Sequence, residues 1–192
     1  MINENFAFLA AALLLIGIAS YVYDTLRGKV KPNRISWFLW ALAPLVGFAA
    51  EVKDGVGLLA IMTFFVGFDP LLVVIASFFN KDSQWKVTKF DLICGFLSIA
   101  GLLLWLVTKT GSVAIIFAIL ADFLAGVPTI IKSFKFPETE NAFAYFTGVL
   151  AAPITVLTIT HWTFSNYAFP IYIFFMNLLI FSLIKFKIGK KF

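Results

Sequence analysis

Two aspartates and an asparagine stand where so apolar a chain has least reason to put them: Asp69 in FFVGFDPLLVV, Asp122 in IFAILADFLAG and Asn177 in IFFMNLLIFSL. By simple counting each lies near the middle of its apolar run. An ionised carboxylate at the centre of a bilayer costs about 2.5–3.5 kcal/mol on insertion scales. No lysine or arginine lies deep in any run to offset that cost. The two acids must then be protonated, hydrated in a cavity or bound to a cation, and each state requires a polar centre. Their common depth fits one central site for a solute or a proton. Packing uses stay open beside that reading: Asp69 suits a hydrogen bond next to Pro70, whose ring frees the Val66 carbonyl, and Asn177 suits interhelical bonding.

Aromatic residues extend the candidate site. Trp37 and Trp40 in SWFLW are three apart and share one helix face. Both fall near the boundary of their run, where tryptophan ordinarily anchors to the membrane interface. Trp40, one turn deeper, can instead stack on a ring-bearing ligand, and Tyr145 occupies the matching place later in the chain. Prolines interrupt five runs, at Pro44, Pro70, Pro128, Pro153 and Pro170. They are either tolerated kinks or bends on which a gate flexes, with Pro44, Pro70, Pro128 and Pro153 the hinge set. Glu138 and Glu140 flank a turn beside Lys132 and Lys135, as a solvated face or as gate partners.

Catalytic chemistry finds no foothold. HExxH, GxSxG, phosphate-loop and GxGD patterns are absent, His161 reads as a loop residue, and the single Cys94 excludes an intrachain disulfide or a cysteine metal cluster. The expectation is a non-enzyme with no metal and no cofactor.

The elements that must position these residues are membrane spans. With 192 residues, 61% hydrophobic and 13% charged, and a mean hydropathy of +0.98, polar surface is too scarce to clothe a soluble globule. Scanning for stretches of about 20 apolar residues gives seven spans, near 5–24, 34–52, 56–79, 90–108, 112–132, 142–160 and 166–186. The first carries no basic leader and no small-residue cleavage site, so it reads as an uncleaved span. Assigning loops alternately puts 13 lysines and arginines on one side and only Lys53 and Lys109 on the other. That asymmetry predicts an N-terminus outside and a C-terminus in the cytoplasm of a multi-pass cell-membrane protein, and it reads the net charge of +5 as anchoring, not nucleic-acid binding.

Residues 21–42 can be laid on 121–146 at an offset of 105, which sets Pro32 on Pro137 and Trp40 on Tyr145. The chain then divides into a first three-helix bundle (1–82), a linker helix (83–111) and a second bundle (112–192). Three spans per unit need a connector if both copies are to share one orientation, so the copies are parallel repeats about the membrane normal. The fold class expected is all-α integral membrane, two parallel three-helix bundles in a 3+1+3 order.

On these features the chain resembles the PQ-loop and SWEET (MtN3-like) transporter family. Pro128-Thr129 stands where that family has Pro-Gln, and Tyr23-Asp24 occupies the same place in the first unit. SWEET transporters carry prolines in the first two helices of each bundle, roles filled here by Pro44, Pro128 and Pro153. They also carry an asparagine in the third helix of each, matched by Asn177 and, as an acid, by Asp69. The WxxW spacing of Trp37 and Trp40 is similar to that of PnuC-type vitamin-precursor transporters.

The resemblance implies a small-solute transporter, alternating access about a pocket lined by Asp69, Asp122, Asn177, Trp40 and Tyr145. Its partners would be a sugar, amino acid, amine or vitamin precursor, protons if the acids couple transport, and the lipid bilayer, with a homo-oligomer left open. The alternative on the same architecture is a non-transporting receptor or scaffold.

Overall fold

Hydropathy sets the length of the helices, and capping side chains set several of their first residues. Asn33 Oδ1 accepts from the backbone N–H of Ile35 (3.1 Å) and Ser36 (3.4 Å). Thr88 and Asp91 form a reciprocal capping box, and Asn141 Oδ1 accepts from Ala144 N at 2.9 Å. Each cap satisfies backbone donors that an apolar run leaves bare at its start.

The computed structural model describes residues 2–3, 5–53, 60–108 and 111–191. The chain is all-helical, with α1 (Phe6–Leu26), α2 (Arg34–Lys53), α3 (Ala60–Phe79), α4 (Lys89–Val107), α5 (Gly111–Lys135), α6 (Ala142–Leu157) and α7 (Phe164–Lys185). The α1, α4 and α5 helices, and α7 with the turn after it, are four segments long and apolar enough to cross a membrane. These make the chain a multi-pass membrane protein. The expected start of the third span at residue 56, and Lys109, lie outside the described residues.

Helix α3 packs against both α1 and α2, and α7 against both α5 and α6. Helix α1 also packs on α6, α2 on α5, and α4 on α5 and α2. Small residues set the closest approaches. A methyl group at Gly67 of α3 would stand 3.0 Å from the Ala41 carbonyl oxygen and the Leu45 nitrogen of α2. Gly101, from which the sequence suggested nothing, lets α4 meet Ala121 of α5. The outward faces carry phenylalanine in bulk, with Phe79 77% and Phe96 73% exposed, as contact with lipid demands.

At one end, four turns join. Asn80 Nδ2 donates to the Leu26 carbonyl at 2.8 Å, the Ser83 hydroxyl donates to the Thr25 carbonyl, and Lys31 N donates to the Thr139 carbonyl at 2.9 Å. Gly28 adopts φ 74° in the first of these turns, which only glycine does without strain. The tail after α7 closes the group through Lys190 Nζ, 3.7 Å from Glu138 Oε2. Pro32 and Pro137, aligned by the sequence repeat, are both fully buried here. This end gathers most of the chain's lysine and arginine and is called the basic end below.

Candidate functional site: a central cavity behind a buried ion pair

A cavity of about 520 Å³ lies among the helices, with walls from all seven. Its polar rim is sparse. Asp122 of α5, Asn177 of α7 and Tyr145 of α6 border it together with Trp37 and Trp40 of α2, and the rest of the wall is largely apolar. An apolar chamber of this volume with a few convergent polar groups is the usual form of a small-molecule site.

Local folding explains where each polar group points. The Tyr172 hydroxyl of α7 donates to Asp122 Oδ2 at 2.7 Å, so this carboxyl group is held from across the α5–α7 contact. Trp40 Nε1 lies 3.4 Å from the Asp122 carbonyl oxygen, a long contact that joins α2 to α5 at the same level. Asn177 Nδ2 donates to the Ile173 carbonyl one turn earlier at 2.9 Å. Among the described residues Asn177 Oδ1 accepts nothing. Gly148 of α6 makes room for that amide: a methyl group there would stand 2.5 Å from Asn177 Oδ1.

The residues expected to form a site divide accordingly. Asp122, Asn177, Trp40 and Tyr145 share the cavity, as do Pro44 and Pro70. Asp69 is not among the wall residues; it is 7% exposed, while its neighbour Pro70 supplies wall. Pro128 is buried in α5 and Pro153 half-buried in α6, both away from the cavity. Trp37 is no interfacial anchor. It is 4% exposed, with its ring 4.5 Å from that of Tyr21, 5.3 Å from Trp40 and 6.5 Å from Tyr145. These four rings form an aromatic layer, of which Trp37, Trp40 and Tyr145 border the cavity.

Behind the aromatic layer lies a buried ion pair. Lys132 Nζ is 2.7 Å from Glu140 Oε1, with side chains 1% and 0% exposed. The ammonium group also donates to the carbonyls of Lys31 and, at 3.2 Å, Thr139, so all three of its protons have acceptors. Glu140 Oε2 accepts from the Tyr21 hydroxyl at 2.7 Å and is 3.5 Å from that of Tyr145. Glu140 is therefore no solvated face. A buried pair persists only when its remaining hydrogen-bonding capacity is filled, and here it is filled from α1, α6, the turn before α2 and the turn between α5 and α6.

Two parts of this arrangement escaped the sequence. Tyr172 was not singled out, although a tyrosine hydroxyl in an apolar helix must find an acceptor, and Asp122 is the one it finds. Tyr21 gave no signal of its own, since only the fold brings it to Glu140, 119 residues away. Compared with known proteins, the chain matches no family model, no curated protein and no solved structure.

Proposed function

We propose that this chain is a small-solute membrane transporter working by alternating access. Its two three-helix bundles, residues 1–82 and 112–192, rock about the central cavity, and α4 within 83–111 is the connector. The packing supports this reading because the helix pairs exchange with one another when α1, α2 and α3 are replaced by α5, α6 and α7. Thus α3 lies against α1 and α2 as α7 lies against α5 and α6, and α1 on α6 corresponds to α5 on α2. In this arrangement the basic end faces the cytoplasm, as the charge asymmetry predicts.

The observation that carries the proposal is the pairing of a small-molecule-sized cavity with a closed door. The cavity wall reaches Tyr145, and Tyr145 reaches Glu140 of the Lys132–Glu140 pair. A solute leaving toward the basic end must pass the aromatic layer and then this latch. Asp122, Asn177 and the tryptophan rings offer an acid, an amide and flat apolar surface. These groups suit a solute bearing an amine or exchanging a proton, with room for a ring. Asp69 lies outside the cavity and takes no direct part in binding.

Thermal stability of the purified protein against sugars, amino acids, amines and vitamin precursors, at acidic and neutral pH, tests the binding half. A solute that binds the folded state raises Tm by mass action. The expected result is a hit lost in Asp122→Asn. Silence across the panel removes the cavity's claim to a small solute. Binding without movement in liposomes replaces the transporter with a receptor or scaffold on the same architecture.

A further inference from the structure

Polar atoms used neither by the cavity nor by the ion pair fall along one seam. On α5, Asp122, Gly126, Thr129 and Ser133 recur at spacings of four, three and four, which is one helix face. On α2 and its lead-in, Asn33, Ser36, Trp37 and Trp40 stand three, one and three apart, which again falls on one face. Two cross-links fix how the faces meet. Trp40 Nε1 lies beside the Asp122 carbonyl, and nine residues back along the chain the Lys31 carbonyl meets Lys132 Nζ, ten residues forward on α5. The helices therefore run antiparallel, and residues 33–37 must lie opposite 126–133.

On these two faces, among the described residues, five side-chain atoms are buried without a hydrogen-bond partner in the protein: Asn33 Nδ2, Ser36 Oγ, Thr129 Oγ1, Ser133 Oγ and Trp37 Nε1, the last on a ring that also packs against Tyr21 of α1. Their residues are at most 4% exposed. Two assignments are unambiguous. Asn33 Oδ1 is engaged by two backbone N–H groups, so its other terminus is the donor, and an indole nitrogen only donates. Native interiors leave few such groups unpaired, and buried water commonly serves them. What fills this seam must accept from N–H groups and exchange hydrogen bonds with hydroxyls. It must also be uncharged, since Lys132 and Glu140 already satisfy one another.

We infer that the α2–α5 seam is a water-filled compartment, holding ordered water between the central cavity and the Lys132–Glu140 pair. Resting on the transport reading, it is also the inner half of the solute's route. When the ion pair parts, this column joins the cavity to the aqueous phase at the basic end. Trp37, which borders both the cavity and the seam, is the partition between them.

Accessibility tests this without any solute. In a Cys94→Ala background, Ser36→Cys, Thr129→Cys and Ser133→Cys are near-isosteric probes, and Val73→Cys, fully buried in the apolar core, is the dry control. Mass spectrometry follows their modification by 2-aminoethyl methanethiosulfonate in detergent. Seam cysteines are expected to react about tenfold faster than the control, and faster again when Glu140→Gln is added. Rates equal to that of Val73→Cys overturn the inference. Should the variants fail to fold, hydroxyl-radical footprinting of the unmodified chain serves instead. Oxidation of Trp37 approaching that of the exposed Trp162 supports the compartment, and protection of Trp37 overturns it. A hydrated seam in a protein that moves no solute sinks the transport reading alone, whereas a dry seam in a working transporter sinks this inference alone.

Discussion

Lys132 and Glu140, eight residues apart across the turn between α5 and α6, form an ion pair of 2.7 Å from which solvent is excluded. Its partners come from both halves of the chain: the Tyr21 hydroxyl of α1 and the Lys31 carbonyl before α2 from the first, the Thr139 carbonyl and the Tyr145 hydroxyl from the second. The pair thus ties α1 and the turn before α2 to the turn between α5 and α6 at the basic end, which is where the proposed transport cycle would have to part them.

Breaking the pair from one side strands a charge. Lys132→Met or Glu140→Gln is expected to destabilise the folded protein by about 3–5 kcal/mol. The double variant is expected to recover part of that loss, because no uncompensated charge remains. Chemical denaturation of the three variants as a double-mutant cycle measures the coupling, and strictly additive losses would contradict a paired arrangement.

Asp122→Asn removes the only carboxyl group bordering the cavity among the described residues while keeping its shape and an acceptor for Tyr172. Uptake driven by a pH gradient is expected to stop, with Tm close to that of the parent chain. An unchanged pH profile of uptake in Asp122→Asn would end the coupling proposal. Tyr172→Phe frees the same carboxyl group without deleting it, and is expected to alter the pH profile while preserving uptake.

Gly148→Ala tests the fit of Asn177. The new methyl group meets the amide 2.5 Å from Oδ1 and must displace it. Overpacking of this kind costs about 1–3 kcal/mol. The larger effect is expected on solute affinity, because the amide is driven from its place on the wall. Isothermal titration with whichever solute raises Tm reads this directly; Gly148→Ala binding as tightly as the parent would remove Asn177 from the site.

Much of the fold was legible because the bilayer imposes one rule on every span: apolar runs of sufficient length become helices, so most ends fell within a few residues of expectation. The largest extension is at α5, expected to stop at 132 and reaching Lys135. Charge normally ends a span, but Lys132 stays within the helix because Glu140 folds back to neutralise it, and only the tertiary structure supplies that partner. That Asp122 and Asn177 border one cavity could be anticipated for a related reason, since polar groups at mid-span are costly in lipid and tend toward a shared interior. Asp69 obeys the same count, yet the cavity wall at this level comes from its neighbours Val66 and Pro70; depth can be counted along a sequence, whereas rotation about the helix axis depends on packing. Trp37 shows the same limit, its boundary position suggesting an anchor while α1 and α6 bury it.

Counterflow in proteoliposomes separates transport from binding alone. Vesicles carrying the purified protein are preloaded with each candidate amine, amino acid, sugar or vitamin precursor and diluted into a trace of the same labelled solute. Transient accumulation of at least one solute is expected, lost in Asp122→Asn and in a variant whose basic end is cross-linked shut. A solute that binds and raises Tm but never accumulates would contradict transport and leave a receptor built around the same cavity.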